Sequence, residues 1–237
     1  MIIELLFPEI ASLYGEKGNL DLLKLCFPEA DIKMTKLNEE PYFFKHDVDL
    51  IVMGPTTEEF QKIIIKRLTP YITRIQTLIR ENIHFWMTGN AMDIFGAYIE
   101  DEEGNRVLGL GLFDYHACLY RPKRFNSYVL GKIEDMEVIG FKSQFSQIFP
   151  TQESYVWLKV ERGFGLNEKT MDEGIKVNNF IGTQCLGPFW ILNPDYTLKY
   201  FKALGYAKAE LPFHSEMLEA YRQRILEFKD EKYINYP

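Results

Sequence analysis

The sequence predicts an α/β fold: a three-layer sandwich in which helices cover both faces of a mostly parallel central sheet. Strand and helix patterns alternate from residue 2 to residue 96, which is typical of parallel βα units. Within that stretch, a buried strand at residues 83–87 turns sharply through residues 88–90 into a helix at residues 91–96. From Arg106 onward the pattern becomes rich in strands, which we expect to complete the sandwich.

The first half of the chain supplies the predicted βα units. Apolar runs predict strands at residues 2–7 and 48–53, and an alternating run predicts an edge-like strand at residues 31–37. One helix is predicted at residues 18–27, and a second opens with the capping sequence at residues 56–59 and reaches Leu68. A third begins at Pro70, and its apolar positions follow helical spacing: Ile72, Ile75, Leu78 and Ile79.

The second half adds further strands and two helices. Strands are expected at residues 107–113, 127–133, 137–142, 155–161 and 176–186. Asn193 and Pro194 introduce a helix that reaches Leu204, and an amphipathic helix is predicted from Ser215 to Tyr233. Since no internal repeat, low-complexity tract or linker interrupts the chain, we expect one domain at residues 1–205, with a helical extension of the same domain at residues 206–237.

Composition and charge exclude several classes of protein. The 237 residues are 46% hydrophobic and 15% aromatic, which suits a large core and argues against disorder. A net charge of −7 disfavours nucleic-acid binding, because contact with phosphates needs a concentrated cationic face. The basic stretch at residues 120–124 is too short to supply one. No apolar run approaches the ~20 residues that span a bilayer.

The cysteines and the first residues indicate a cytoplasmic protein. Cys26, Cys118 and Cys185 are odd in number and lack metal-ligand spacing, so we expect reduced thiols rather than disulfides or a zinc site. The sequence starts directly with a strand, so no signal peptide is expected. We also expect no cofactor and no membrane contact.

Seven short segments carry a recognisable pattern, and they lie at residues 6–19, 109–114, 140–144, 163–167, 173–174, 182–188 and 193–194. In this order they resemble the motifs of the cobyric-acid-synthase-like (CobB/CobQ-like) class I glutamine amidotransferases. Within that family the chain is most similar to the small glutaminase subunit of lipid II isoglutaminyl synthase, a cell-wall enzyme. The resemblance covers residues 1–205 and implies a flavodoxin-like sandwich that hydrolyses glutamine and passes ammonia to a ligase.

Three positions depart from what the resemblance implies. Family members attack glutamine with a cysteine at the strand-to-helix turn, which a histidine activates. Gly89 stands at the cysteine position and Leu186 at the histidine position. Family members also bind the oxyanion with backbone N–H groups of a glycine-rich loop, where this chain has Gly54 and Pro55, and proline has no N–H. This joint loss predicts a chain without the family's reaction.

Other residues could replace the missing nucleophile. Thr88 would stand at the turn if the register slipped by one, but a hydroxyl without a base is a weak nucleophile, and a turn threonine is ordinarily bonded to backbone. Cys185 adjoins the missing histidine, but alternation along a strand turns it away from a pocket that Leu186 faces. His116 and Cys118 form a local pair without further metal ligands, which favours a structural role. The remaining histidines are expected in the core (His84) or on the surface (His46 and His214).

The sequence retains candidate ligand-binding residues. Arg124 resembles the family arginine that contacts glutamine, although a solvated arginine in a basic loop is the equally ordinary interpretation. Gly54 is the second candidate for ligand binding. Gly89 also has a structural explanation, because the turn needs a backbone conformation that glycine adopts freely.

Two classes of function remain open. In the first, a catalytically silent amidotransferase-like protein acts by binding, as the partner of a Mur-ligase-like protein or as a sensor of glutamine or a related small amide. In the second, an active amidotransferase or amidohydrolase uses an unrecognised nucleophile and supplies ammonia to a cell-wall or cobalamin-type ligase. The sequence has no GxxxxGK[ST] motif, which favours a subunit that works beside a separate ligase.

The silent interpretation predicts a specific geometry. Gly89 should have a positive φ at the strand-to-helix turn, and Leu186 should point at it across the pocket. The last helix offers a further surface, because its apolar residues form a stripe that either packs on its own sheet or is exposed to a partner. These residues are Met217, Leu218, Tyr221, Ile225 and Phe228.

Overall fold

A nine-stranded mixed sheet forms the centre of the protein, whose computed structural model describes residues 1–151 and 155–230. Alternating residues of its central strands belong to two apolar clusters, one on each face: Ile51 and Met53 face one cluster, Leu50 and Val52 the other. The strands in chain order are β1 (Ile2–Leu6), β2 (Asp31–Thr35), β3 (Leu50–Met53), β4 (His84–Thr88), β5 (Tyr98–Glu100), β6 (Arg106–Leu108), β7 (Tyr115–Leu119), β8 (Phe125–Ile133), β9 (Met136–Gln144), β10 (Ser146–Pro150), β11 (Val156–Arg162), β12 (Asp172–Val177) and β13 (Phe180–Thr183).

The large sheet is parallel in one half and antiparallel in the other. Its strand order is β2-β1-β3-β4-β13-β12-β11-β8-β9. The first five strands run parallel, and the remaining pairs are antiparallel. A smaller sheet, in the order β10-β7-β5-β6, shares the apolar cluster on one face of the large sheet. The predicted α/β class is therefore confirmed, with a sheet that is parallel only where the βα units form it.

Helices cover both faces. The helices are α1 (Glu16–Cys26), α2 (Glu58–Leu68), α3 (Ile72–Arg80), α4 (Phe189–Leu192), α5 (Pro194–Ala203) and α6 (His214–Lys229). Buried residues of α2 and α3, such as Ile64 and Leu78, join the small sheet's cluster, whereas Leu23 of α1 and Phe201 of α5 belong to the opposite one. Within the described residues, no helix is long and apolar enough to cross a membrane.

The final helix packs its apolar stripe inward. Ile225 and Phe228 are buried against Leu130 and Ile139 of the β8–β9 hairpin, and Met217 lies in the cluster that α5 shares. The Tyr221 hydroxyl donates a hydrogen bond of 2.9 Å to a β9 carbonyl. The stripe therefore serves the fold. The last residues of the predicted helix, 231–233, lie outside the described part of the chain.

Several predicted elements are wrong in extent. The strand expected at residues 107–113 stops at Leu108, and Gly111 beyond it has a φ of +62°, a left-handed conformation that does not continue a strand. The strand expected at residues 176–186 is a hairpin of β12 and β13, which turns at Asn178 with a φ of +53°. The predicted strand ranges do not include β5, β7 or β10.

Candidate functional site

The turn after β4 is built around Gly89. β4 ends at the buried Thr88, and Gly89 opens a 3₁₀ helix (Gly89–Phe95) with a φ of +57°. This left-handed conformation is open to glycine and strained for any residue with a Cβ. The predicted positive φ at Gly89 is therefore confirmed, although the helix that follows is 3₁₀ rather than α.

Two side chains occupy the space beside Gly89. A Cβ on Gly89 would lie 2.6 Å from the Cβ of Pro55 and 3.0 Å from the Cδ2 of Leu186. Carbon atoms in contact prefer about 3.5–4.0 Å, so both distances describe overlap. Leu186 thus lies against Gly89, as the sequence predicted, and Pro55 adds a contact that the sequence did not predict.

A pocket of about 100 Å³ opens beside these residues, at the carboxyl ends of the parallel strands. Gly89, Leu186, Pro55 and Arg124 all line it, although they come from four separate segments of the chain. Ligands of open α/β sheets bind at this edge of the sheet. The structure therefore brings together most of the residues that the sequence singled out.

Gly54 and Thr88 lie behind the pocket rather than in its lining. The Gly54 N–H donates a hydrogen bond of 3.1 Å to the carbonyl of Ala11, and a Cβ on Gly54 would meet that oxygen at 2.7 Å. The conformation of Gly54 thus serves close packing, and its N–H already has an acceptor within the protein. Thr88 is fully buried, and its hydroxyl has no hydrogen-bond partner among the described residues.

Arg124 supplies a cation to the pocket. Its guanidinium stacks 3.9 Å above the ring of Phe145 and donates a hydrogen bond of 2.7 Å to the hydroxyl of Tyr14. Both partners also line the pocket. Stacking and the hydrogen bond hold the planar group in place, while its other N–H groups can bind an anionic oxygen.

The opposite charge comes from the start of α2. Glu58, the first residue of α2, lines the same pocket as Arg124. The preceding loop is fixed by two hydrogen bonds of 2.9 Å, one from the Thr56 N–H to the side-chain oxygen of Asn90 and one from the Asn90 amide to the Thr56 carbonyl. The pocket therefore combines a guanidinium and a carboxylate on a constrained wall.

A buried acid next to the pocket escaped prediction. Asp93 is fully buried in the 3₁₀ helix after Gly89, and burial raises the pKa of its carboxyl to about 7. Ser146 is a lining residue of the pocket; its buried hydroxyl lies close enough to Asp93 to oppose the rise in pKa but makes no direct hydrogen bond with the carboxyl group. Gln61 donates to the carboxylate at 3.3 Å. In the sequence, Asp93 could have been recognised as the one aspartate within the apolar run at residues 91–95. No sequence feature indicates Ser146 as a site residue.

A second buried acid, Glu16, lies next to the turns that follow Thr88 and Leu186. Burial raises the pKa of Glu16, the first residue of α1, to about 7. Asn19 donates to one carboxylate oxygen at 3.0 Å, and a Cβ on Gly187 would meet the other at 2.8 Å. The Thr88 hydroxyl lies near enough to lower this pKa slightly without the geometry of a hydrogen bond. Glu16 thus joins α1 to the turn that follows Leu186.

A buried ion pair supports the strand that leads to Leu186. The Lys142 ammonium lies 2.6 Å from the Glu173 carboxylate, and both side chains are almost wholly buried. Glu173 accepts hydrogen bonds of 2.8 Å from the Thr183 hydroxyl and the Gln184 N–H. The Gln184 side chain in turn accepts one of 2.6 Å from Gln144, a lining residue. This network connects the pocket to the centre of the sheet.

The alternative nucleophiles lie away from the pocket. Cys185 is fully buried, and burial raises the pKa of its thiol to about 12, so it carries no thiolate near neutral pH. Cys118 is half-buried in β7, where burial also raises its pKa. Its neighbour His116 stacks on Tyr98 and Phe149. Within residues 1–151 and 155–230 no group of three or more His, Cys, Asp or Glu side chains could hold a metal ion.

The remaining histidines differ in exposure. His46 is exposed and stacks on Tyr42 at 4.2 Å, as expected for a surface residue. His214, also expected at the surface, is instead largely covered, with 14% of its side chain exposed beside Asp195. His84 is partly buried at the start of β4, where burial lowers its pKa.

Comparison with known proteins identifies the family. Residues 2–191 match the model of the CobB/CobQ-like glutamine amidotransferase domain. No curated protein gives a significant sequence match. A solved structure described as a glutamine amidotransferase is similar in fold, with a TM-score of 0.57 and 10% identity over 86% of this chain and 99% of its own.

Two structures from Thermotoga maritima are also similar, each with a TM-score of 0.49. One is a glutamine amidotransferase with 12% identity over 96% of this chain and 98% of its own; the other is PurLQS, with 8% identity over 94% and 98%. At these identities the likeness concerns the fold, and the family assignment rests on the family model, which matches well over half of the chain. The chain belongs to the CobB/CobQ-like glutamine amidotransferase family.

Proposed function

We propose that this chain binds glutamine or a related small amide in the pocket beside Gly89 and does not hydrolyse it. The observation that carries the proposal is the occupied space at Gly89: Pro55 and Leu186 fill the place where a nucleophilic side chain would begin. An attack on an amide carbon needs a nucleophile at that turn and a base within hydrogen-bond reach. Glycine supplies no nucleophile, and leucine supplies no base.

The backbone beside the pocket supports the same proposal. Catalysis of amide hydrolysis relies on N–H groups that stabilise the developing oxyanion. Pro55 has no N–H, and the Gly54 N–H is bonded to Ala11. The pocket thus lacks the donors that this loop would offer to a tetrahedral intermediate.

The charges of the pocket suit an amino acid as the ligand. Arg124 can donate paired hydrogen bonds to an α-carboxylate, and Glu58 can pair with an α-ammonium group. The volume of about 100 Å³ accommodates a small molecule only. Calorimetric titration with glutamine, together with assay of glutamate in the same sample, tests the proposal. Binding of glutamine without release of glutamate supports it. The absence of both binding and release refutes it.

The proposal includes a protein partner, a Mur-ligase-like protein of the kind that glutaminase subunits of lipid II isoglutaminyl synthase accompany. Two apolar side chains at the pocket mouth, Leu13 and Tyr14, are 40% and 44% exposed, which suits a surface that a partner covers. Co-purification with a co-expressed Mur-ligase-like protein tests this part. A Tyr14→Glu variant should lose that association. If the variant still co-purifies with the partner, the contact lies elsewhere on the surface.

One observation favours a second candidate, an active amidohydrolase that uses Ser146. Ser146 is a lining residue of the pocket, and its buried hydroxyl lies beside Asp93, whose pKa of about 7 suits a general base. In that reaction the Ser146 oxygen would attack the amide carbon, Asp93 would take its proton and return it to the departing ammonia, and water would release the acyl group. Glutamate release that is lost in Ser146→Ala but retained in Cys118→Ala and Cys185→Ala would establish this alternative.

A further inference from the structure

A second pocket lies at the opposite end of β4 from Gly89. Its volume is about 120 Å³, and His84, the first residue of β4, lines it. At about 3.3 Å per residue, β4 separates His84 from Thr88, its last residue before the turn, by about 13 Å. This pocket, termed the β4 entry pocket, shares no lining residue with the one beside Gly89.

Aromatic side chains form the walls of the β4 entry pocket. Trp157, Tyr196 and Tyr200 line it, and each is at least nine-tenths buried. The rings of Tyr196 and Tyr200 are nearly parallel, with centroids 6.2 Å apart, and Trp157 meets Tyr196 edge-on at 5.7 Å. The indole N–H of Trp157 donates to the Tyr196 hydroxyl at 3.2 Å. These contacts fix flat walls on which another ring can stack.

Two hydrogen-bond donors of the lining have no acceptor. The Asn179 amide donates at 2.6 Å to the Asn82 carbonyl, which orients its nitrogen toward the Nε2 of His84, 3.2 Å away. Nε2 therefore accepts, and in the neutral ring the proton resides on Nδ1. Neither His84 Nδ1 nor the Tyr200 hydroxyl has a hydrogen-bond partner in the described part of the chain. Buried donors of this kind need an acceptor from a bound molecule or water.

The charge at the pocket is positive. Lys176 and Lys199 line it together with one acid, Glu134. Lys199 is paired with Glu134, whereas Lys176 makes no ion pair with any described residue. Two ammonium groups thus face one carboxylate in the lining, which leaves a net positive charge to meet a negatively charged group.

We propose that the β4 entry pocket binds a small aromatic carboxylate. The ring of the ligand stacks on one of Trp157 and Tyr196 and meets the other edge-on. Its carboxylate oxygens accept hydrogen bonds from Tyr200 and His84, and Lys176 neutralises the charge. The volume of about 120 Å³ limits the ligand to a single ring, since a cavity of about 150 Å³ in another protein holds benzene. This site is independent of the glutamine pocket and of the function proposed for it.

Benzoate, benzamide and cyclohexanecarboxylate form a probe series that separates the two parts of the proposal. Binding is followed by quenching of tryptophan fluorescence and confirmed by calorimetry. We expect saturable binding of benzoate at millimolar concentration and about tenfold weaker binding of both other probes, because benzamide lacks the charge and cyclohexanecarboxylate lacks the flat ring. Absence of saturable benzoate binding, or equal binding of benzamide, would overturn the proposal.

Variants locate the bound probe. Tyr200→Phe removes only a hydroxyl without a partner, so the fold should be retained while benzoate affinity falls about tenfold. Lys176→Gln should weaken benzoate but leave benzamide unchanged. Tyr206→Phe and Lys33→Gln are matched controls away from the pocket. Benzoate binding that Tyr200→Phe and Lys176→Gln leave unchanged would contradict the assigned site.

Discussion

Pro55 occupies the place where a side chain on Gly89 would begin, with its Cβ 2.6 Å from the ideal Cβ position. Leu186 closes the same space from a different strand end. The departures at Gly89, Leu186 and Pro55 are thus one packing arrangement, in which proline and leucine fill the room that glycine leaves. A nucleophile cannot be restored at residue 89 without first moving Pro55.

Gly89→Ala should destabilise the protein by roughly 2–4 kcal/mol, from a strained positive φ and from overlap with Pro55. Gly111→Ala is the matched control, since its φ of +62° is similar and no atom lies within 4 Å of its Cβ position. We expect that control to cost only about 1–2 kcal/mol. Urea unfolding of both variants measures the difference. Equal losses would show that Pro55 does not crowd Gly89.

Pro55→Gly should restore part of the stability that Gly89→Ala loses. The double variant removes the overlap with Pro55 and leaves the backbone strain and the closer-than-ideal contact with Leu186. A double-mutant cycle of the two substitutions measures the coupling, which we expect to be about 1 kcal/mol or more. Additive effects would contradict direct contact between the two positions.

Asp93 should make stability fall as pH rises. Its pKa is raised from 3.8 to about 7 in the folded protein, so folding binds a proton between those values. The stabilisation is complete below about pH 4 and is lost as pH rises through 7, on the order of 2–4 kcal/mol. Asp93→Asn should therefore flatten the profile between pH 5 and 8 in urea unfolding.

Glu102→Gln is the control for that experiment. Arg121 holds the pKa of the exposed Glu102 at about 2, below its ordinary 4.5. Its contribution is present above pH 4.5 and is lost only in acid, so the variant should shift stability equally at pH 5 and pH 8. A profile that Asp93→Asn leaves as steep as in the unchanged protein would place the titrating group elsewhere, with Glu16 as the next residue to replace.

Much of the parallel half of the fold could be predicted because each βα unit is local in sequence. The strand through Phe85, the turn at Gly89 and helices α2 and α3 all follow from periodicity and capping over a dozen residues. Local periodicity does not predict that Gly89 and Leu186 lie close together. That prediction came from the order of the family motifs along the chain. Since β4 and β13 pair in parallel, their carboxyl ends meet at one edge of the sheet.

The parts that were missed depend on pairings between distant segments. β7 pairs with β5 and β10 in a separate sheet, and it contains His116 and Cys118, the local pair for which the sequence favours a structural role. The Lys142–Glu173 pair joins residues 31 positions apart. No local sequence pattern predicts that either charged side chain is buried. The crowding of Gly89 by Pro55 likewise exists only in three dimensions.

Removing one partner of the buried pair should be costly. Lys142→Met leaves Glu173 without its countercharge, for which we expect a loss of about 3–5 kcal/mol, and Lys142→Met with Glu173→Gln should recover part of it. Lys159→Met is the control, because its pair with Asp172 is on the surface. Thermal and urea unfolding report both. A loss no larger than that of the control would show that the buried pair is not needed.

Arg124 should determine glutamine affinity. Arg124→Gln removes the cation that the ligand carboxylate meets, so we expect roughly ten- to a hundredfold weaker binding by calorimetry. Arg106→Gln is a matched control, because Arg106 also stacks on an aromatic ring, that of Tyr98, away from the pocket. Unchanged affinity in Arg124→Gln would place the ligand elsewhere.

Binding without hydrolysis is tested most directly by incubating the protein with glutamine labelled with ¹⁵N in its side-chain amide and following the amide and ammonium signals by NMR. We predict line broadening of the amide that Arg124→Gln abolishes, and ammonium no higher than in a sample without protein. Ammonium that accumulates with the unchanged protein and disappears with Ser146→Ala would contradict the silent pocket and identify an active hydrolase.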